Sequence, residues 1–217
     1  MAYVKLFDII RHKAFQGGRL LRYVAGLALL CTLPLGAVFH LAYAGSNYGD
    51  FAENVPDTAH SLIVAGGCFW CIENDYETLD AVYEVVSGYA GGTKANPTYQ
   101  SHEGHREVVK VYYDPSRLSF EDMIAHYYSH VDYEDGGGQF CDRGYAYTPA
   151  IHVQSQAQRQ IAEDLAPATS IVPIEDDVQF WPAEQYHQDY YLKNPFRYKF
   201  YRTSCGRDKR VKQLNQK

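Results

Sequence analysis

The stretch that decides the fold reads Gly66-Gly67-Cys68-Phe69-Trp70-Cys71-Ile72-Glu73. Ser61-Leu62-Ile63-Val64-Ala65 before it, apolar from Leu62 onward, reads as a buried strand. Residues 73–81 after it carry helix formers, with Tyr76 and Leu79 three apart on one face. Cys68 thus falls where a strand ends, a glycine pair turns the chain and a helix opens. The free N–H groups and the macrodipole at a helix N-terminus favour negative charge. The sequence therefore predicts a partly ionised, nucleophilic thiol at Cys68, walled by the rings of Phe69 and Trp70.

Working outward, residues 82–89 read as a strand, ended by Gly88-Tyr89-Ala90-Gly91-Gly92, and Asn96-Pro97-Thr98-Tyr99 is a turn. The strand over residues 106–113 alternates. Glu107, Val109, Val111 and Tyr113 share one face, while Arg106, Val108, Lys110 and Tyr112 share the other, which the two cations mark as the wetter one. Glu107 is then on the core side, where desolvation raises a carboxyl pKa and keeps the proton a general acid needs. A Glu paired to an Arg at a strand end is the alternative. Asp114-Pro115 closes the strand, and Ser119-Phe120-Glu121-Asp122 opens a helix through about residue 130 with a capping box. His126 and His130 on that helix lack the intervening general-base Glu of zinc proteases and read as surface or capping histidines.

A long loop over residues 131–147 holds Gly136-Gly137-Gly138, Cys141, Asp142 and Gly144; ordered loops of such length are usually functional. Residues 148–153 read as a strand, Ser155 caps a helix to about residue 165, and residues 171–174 form a short strand. A helix over residues 184–192 ends at Asn194-Pro195, and the basic, aromatic tail from Arg197, which carries Cys205, reads as irregular. The alternation of elements predicts an α+β fold, a ferredoxin-like α/β sandwich built from a split βαβ arrangement with an irregular C-terminal tail.

The chain has 217 residues, a net charge of −6 and 46% hydrophobic content, enough for one domain with a real core and too acidic for a nucleic-acid footprint. Its five cysteines are too few and too scattered for a disulfide-stapled miniature scaffold, which leaves redox or metal chemistry. Residues 24–44 form an apolar run behind Arg11, Lys13, Arg19 and Arg22, with Ala42-Tyr43-Ala44 as a cleavage-type motif. Residues 1–44 are expected to be a signal peptide or N-terminal membrane anchor, 45–60 a linker, and 61–217 the catalytic domain. Export across the inner membrane would place the domain in the periplasm, free or anchored and facing it.

The ordered set of motifs carries a resemblance. Gly67-Cys68-Phe69-Trp70, Gly88-Tyr89-Ala90-Gly91-Gly92, Asn96-Pro97-Thr98-Tyr99, Gly104-His105-Arg106-Glu107-Val108-Val109 and Tyr113-Asp114-Pro115 resemble type A peptide methionine sulfoxide reductase. Pro182-Ala183-Glu184, Tyr186-His187-Gln188 and Tyr191-Leu192-Lys193-Asn194-Pro195 resemble the same family. The resemblance implies reduction of methionine-S-sulfoxide, free or in proteins, through a cysteine sulfenic acid and an intramolecular disulfide. On it, Cys68 attacks the sulfoxide sulfur and Glu107 protonates its oxygen. Tyr89 and Tyr147, with Asp142 nearby, polarise that oxygen, and Phe69 and Trp70 wall the methyl group.

Two departures stand out. The family has glycine where Cys71 stands, and its usual Gln-Tyr-Arg-Ser appears as Ala146-Tyr147-Thr148-Pro149. The resolving thiol is then Cys205, placed like the family's usual one, or Cys71, with Cys141 a third candidate and a relay open. No bound cofactor or metal is implied. The electrons come from an external thiol reductant such as thioredoxin or a thioredoxin-like protein, and the chain acts as a monomer, associated with a membrane only if the N-terminal segment is kept. The rival readings are a thioredoxin-like disulfide oxidoreductase using Cys68 and Cys71, and a zinc module on Cys68, Cys71, Cys141 and Cys205.

Overall fold

The structure, a computed structural model, describes residues 51–52 and 54–216. The expected signal or anchor over residues 1–44 lies outside the described residues. Among the described residues no helix is long and apolar enough to cross a membrane.

The first strand, β1 (His60–Ala65), is followed by α1 (Phe69–Glu77), β2 (Val82–Ala90), β3 (Arg106–Tyr113) and α2 (Phe120–Tyr128). A two-stranded ribbon, β4 (Gly138–Gln139) with β5 (Asp142–Arg143), and a 3-10 turn (Tyr145–Tyr147) lead into β6 (Ala150–Val153) and α3 (Gln156–Asp164). Then come β7 (Ile174–Asp176), β8 (Phe180–Pro182), α4 (Tyr190–Lys193), α5 (Pro195–Cys205) and α6 (Arg207–Leu214). The main sheet runs β7-β6-β1-β3-β2-β8, with β6–β7 as its one parallel pairing. Within it β1, α1, β2, β3, α2 and β6, in sheet order β6-β1-β3-β2, make the split βαβ core that the sequence predicts.

Both faces of β1 are buried, as its unbroken apolar run requires. Leu62 and Val64 join Val109 and Val111 under Phe69, Ile72 and Tyr76 of α1 and Met123 and Ile124 of α2. Ile63 and Ala65 join Val108 on the other face, which Val178, after β7, and Phe180, the first residue of β8, cover. That cover corrects the expectation of a wet face on β3. Arg106 is buried there and forms an ion pair with Glu175, Nη2 to Oε1 at 3.0 Å. Glu107 is on the helix-side face, as its parity requires.

The C-terminal tail is helical, not irregular. Pro195 does close the preceding turn, but it also occupies the first position of α5, where its missing N–H costs nothing. Gly206, at φ 72°, caps α5 and turns the chain into α6. These helices carry little apolar periodicity: Phe196 and Phe200 are exposed and Tyr198 and Leu214 are the apolar side chains buried. Charge holds them instead. Asp75 of α1, itself buried, takes Arg202 at 2.7 Å and Arg207 at 3.1 Å. Arg207 also donates to the Gly66 and His130 carbonyls and lies over the Phe140 ring.

The helix expected over residues 184–192 shrinks to α4, because Gln188 turns back to bond the Ser87 backbone and Asp189 takes a left-handed conformation. Replacing Arg207 by Met removes one partner of a buried ion pair and orphans two carbonyls. Arg207→Met is expected to lower unfolding stability by about 3 kcal/mol in urea titration, and an unchanged midpoint would contradict this account of the tail.

Candidate functional site

Cys68 is the N-cap of α1. The turn before it needs glycine. Gly67 has φ +90°, and a Cβ there would sit 2.6 Å from Gln139 Cβ; one on Gly66 would meet Ile72 at 2.6 Å. The turn leaves the Cys68 thiol almost fully buried, facing a cavity of about 70 Å³. Phe69, Trp70, Glu107, Asp142 and Tyr147 line that cavity, as do two residues the sequence did not single out, Tyr99 and Tyr201.

The first free N–H of α1 does not serve the thiol. Phe69 N–H donates to Glu107 Oε2 at 3.0 Å, and the Cys68 side chain accepts no capping bond. Burial pushes Glu107 up to about 8, against the Phe69 N–H bond that favours its ionised form. At neutral pH Glu107 is therefore a carboxylic acid, also bonded by the Tyr147 hydroxyl.

The expected lowering of the Cys68 pKa is overturned. Burial raises it, and the neighbouring Cys71 sulfur raises it further. Cys71, one helical turn inward, shifts the other way: a hydrogen bond from Cys68 favours its thiolate, with support from the cations of Arg207 and Arg202. Of the two sulfurs, the inner one is therefore the more readily ionised.

The ring of Trp70 is fixed on both sides. It stacks on Tyr190 at 3.6 Å between centroids, and its indole N–H donates to His187 Nδ1 at 3.1 Å. Burial lowers His187 to about 4, so its ring is neutral and Nδ1 is free to accept. Tyr89 is not where the resemblance puts its hydroxyl. That group donates to Glu184 Oε2 at 3.0 Å, and its ring packs on Phe69. Tyr99 takes its place on the cavity wall, as a hydrogen-bond partner of Tyr147.

Cys205 is joined to Cys141 in a disulfide that closes 64 residues of chain, while Cys68 and Cys71 are free. Cys205 is thus paired with Cys141, whereas Cys71 is a free thiol one helical turn from Cys68. The disulfide also occupies two of the four sulfurs of the zinc reading. Cys141 is exposed at the surface, in contrast with the buried Cys68 and Cys71.

A cavity of about 70 Å³ has room for a methyl sulfoxide head. Aromatic walls suit a methyl group, a neutral acid suits a basic oxygen, and the thiol would face a sulfur placed between them.

Comparison with known proteins gives the same direction. The family model described as peptide methionine sulfoxide reductase matches residues 60–217. The peptide methionine sulfoxide reductase MsrA 2 of Rhizobium meliloti is 47% identical over 161 residues, 70% of this chain and 81% of that protein. A Caulobacter vibrioides protein of the same name is 42% identical over 186 residues, 80% of this chain and 93% of its own. Among solved structures, reduced Mxr1 from Saccharomyces cerevisiae superposes with TM-score 0.58 at 25% identity, covering 64% of this chain and 88% of that one. Methionine sulfoxide reductase A of Corynebacterium diphtheriae gives 0.56 at 26%, covering 64% and 77%. This chain belongs to the type A peptide methionine sulfoxide reductase family.

Proposed function

We propose that the chain reduces methionine-S-sulfoxide, free or in proteins, to methionine at Cys68. The observation that carries the reading is the juxtaposition of a buried thiol at a helix start with a neutral carboxylic acid pinned by the first N–H of the same helix, in one aromatic cavity.

A sulfoxide sulfur becomes electrophilic as its oxygen is protonated. Glu107 gives that proton and the Cys68 sulfur, losing its own proton, bonds to the substrate sulfur; the hydroxyl then passes from the substrate sulfur to the Cys68 sulfur as the S–O bond and the new S–S bond break, releasing methionine and leaving Cys68 as a sulfenic acid: the substrate is reduced by two electrons and Cys68 oxidised by two. The inner sulfur, Cys71, then displaces hydroxide from Cys68, so that water leaves and a Cys68–Cys71 disulfide forms. Its position one turn inward, with its charge favoured by Arg207 and Arg202, supports Cys71 over Cys205 as the resolving thiol. An external dithiol of the thioredoxin type returns the pair to its reduced form by exchange.

Mixing the purified chain with the S epimer of a methionine sulfoxide peptide, without reductant, is expected to yield one methionine per chain and a Cys68–Cys71 bridge in peptide mapping. Turnover of the R epimer, or a bridge from Cys68 to Cys205, would overturn this assignment. Loss of the acid is the second test. Glu107→Gln should lower kcat by about 10²- to 10⁴-fold. Because the acid form is the active one and Glu107 titrates at about 8, wild-type turnover should fall as pH rises through that value. The variant should lack that descending limb; a limb that persists in Glu107→Gln assigns it to another group.

A further inference from the structure

The attack has a proton to place. With Glu107 already protonated, it cannot take the Cys68 proton, and burial holds Cys68 as a thiol. One group on the cavity wall is poised to do so. Tyr201, on α5, sets its ring edge-on to Trp70 at 6.1 Å and 82°; its hydroxyl is a hydrogen-bond partner of the Cys68 thiol and donates to Asp142 Oδ2. Cys68, Tyr201 and Asp142 all line the one cavity, so the chain of groups runs from the nucleophile to a half-exposed carboxylate.

We propose that Tyr201 is a catalytic residue of this site: its hydroxyl oxygen takes the Cys68 proton while its own proton passes to the Asp142 carboxylate, generating the thiolate as attack begins. The S–H bond of Cys68 breaks, an O–H bond forms on Tyr201, the former Tyr201 O–H bond breaks, and Asp142 becomes a carboxylic acid that later returns its proton to solvent. No electron moves in this step. Tyr201 then donates its hydrogen bond to the thiolate, and the phenol is never itself ionised.

The placement of both partners has a covalent basis. Cys141 immediately precedes Asp142, Cys205 follows Tyr201 by one helical turn, and the disulfide between these cysteines ties the ribbon to α5 at that point. The other titratable groups around the path are Cys71 of α1, Glu107 of β3, Tyr99 and Tyr147 of the loops, and Arg207 of α6, whose cation faces Asp142. Among them Cys71 is the competing base, since it accepts a hydrogen bond from Cys68. It does not line the cavity, however, and a proton passed to it stays buried.

The proposal rests on Cys68 being the nucleophile, and the experiment separates the two. Methionine release in the first turnover, across S-sulfoxide peptide concentration and pH, is measured for the full chain and for Tyr201→Phe, Asp142→Asn, their double variant, Cys71→Ser and Cys68→Ser. Tyr201→Phe keeps the ring packing and is expected to slow the first turnover by about 10²-fold. It should leave KM within about twofold and move the ascending limb of the pH–rate profile to higher pH. Asp142→Asn should act on the same limb, and the double variant should be no slower than the slower single one, because the two residues serve one path.

Methionine release by Cys68→Ser overturns the nucleophile assignment itself. With Cys68→Ser inactive, the relay is overturned by a Tyr201→Phe rate and ascending limb equal to wild type, by multiplying effects in the double variant, or by a first turnover that depends on Cys71 and not on Tyr201.

Discussion

The site depends on one hydrogen bond, from Phe69 N–H to Glu107 Oε2 at 3.0 Å. A helix N-terminus offers its first donors to whichever anion or carbonyl is nearest. Here β3 delivers a carboxyl to that position, so the start of α1 organises the acid and not the thiol. The bond fixes Glu107 beside Cys68 while burial keeps the proton on it, pushing the group up to about 8. Two opposing influences are balanced: the N–H bond favours the carboxylate, desolvation favours the acid, and desolvation is the larger. The result is an acid with a proton to give near neutral pH, held where the sulfoxide oxygen has to lie.

The second constraint is Asp75. Its buried carboxylate, on the same helix, receives Arg202 and Arg207, so α1 is bound on one face to the acid and on another to the C-terminal helices. Those helices bring Tyr201 to the cavity and Arg207 to the carbonyl of Gly66. The cations that anchor the tail also favour a thiolate on Cys71, so the anchoring of the tail and the chemistry of the inner sulfur share the same charges. An apolar contact would have anchored α6 without that effect.

Much of this was legible in the sequence, and what was not has identifiable causes. The strand, glycine turn and helix around Cys68 follow from residue type alone, and the alternation of β3 places Glu107 on the helix-side face. The glycines at 66 and 67 are demanded by close contacts the sequence could only suggest. The ionisation of Cys68 was misjudged because helix position implies free N–H donors, whereas Phe69 N–H is taken by a residue 38 positions away. The tail was misread because periodicity reports apolar faces, and α5 and α6 are held chiefly by arginines. Tyr201 carried no local mark among 20 tyrosines; the one available signal was its spacing of a single helical turn from Cys205. Tyr89 and Tyr99 exchanged places because Glu184, far along the chain, claims the first hydroxyl.

The central claim is that Glu107 is a neutral acid held by a helix N-terminus, and its titration can be observed directly. In the chain labelled with carboxyl ¹³C glutamate, with Glu107→Gln identifying the signal, the account predicts that the Glu107 resonance titrates near 8. A midpoint in the ordinary glutamate range, about 4 to 5, would contradict it.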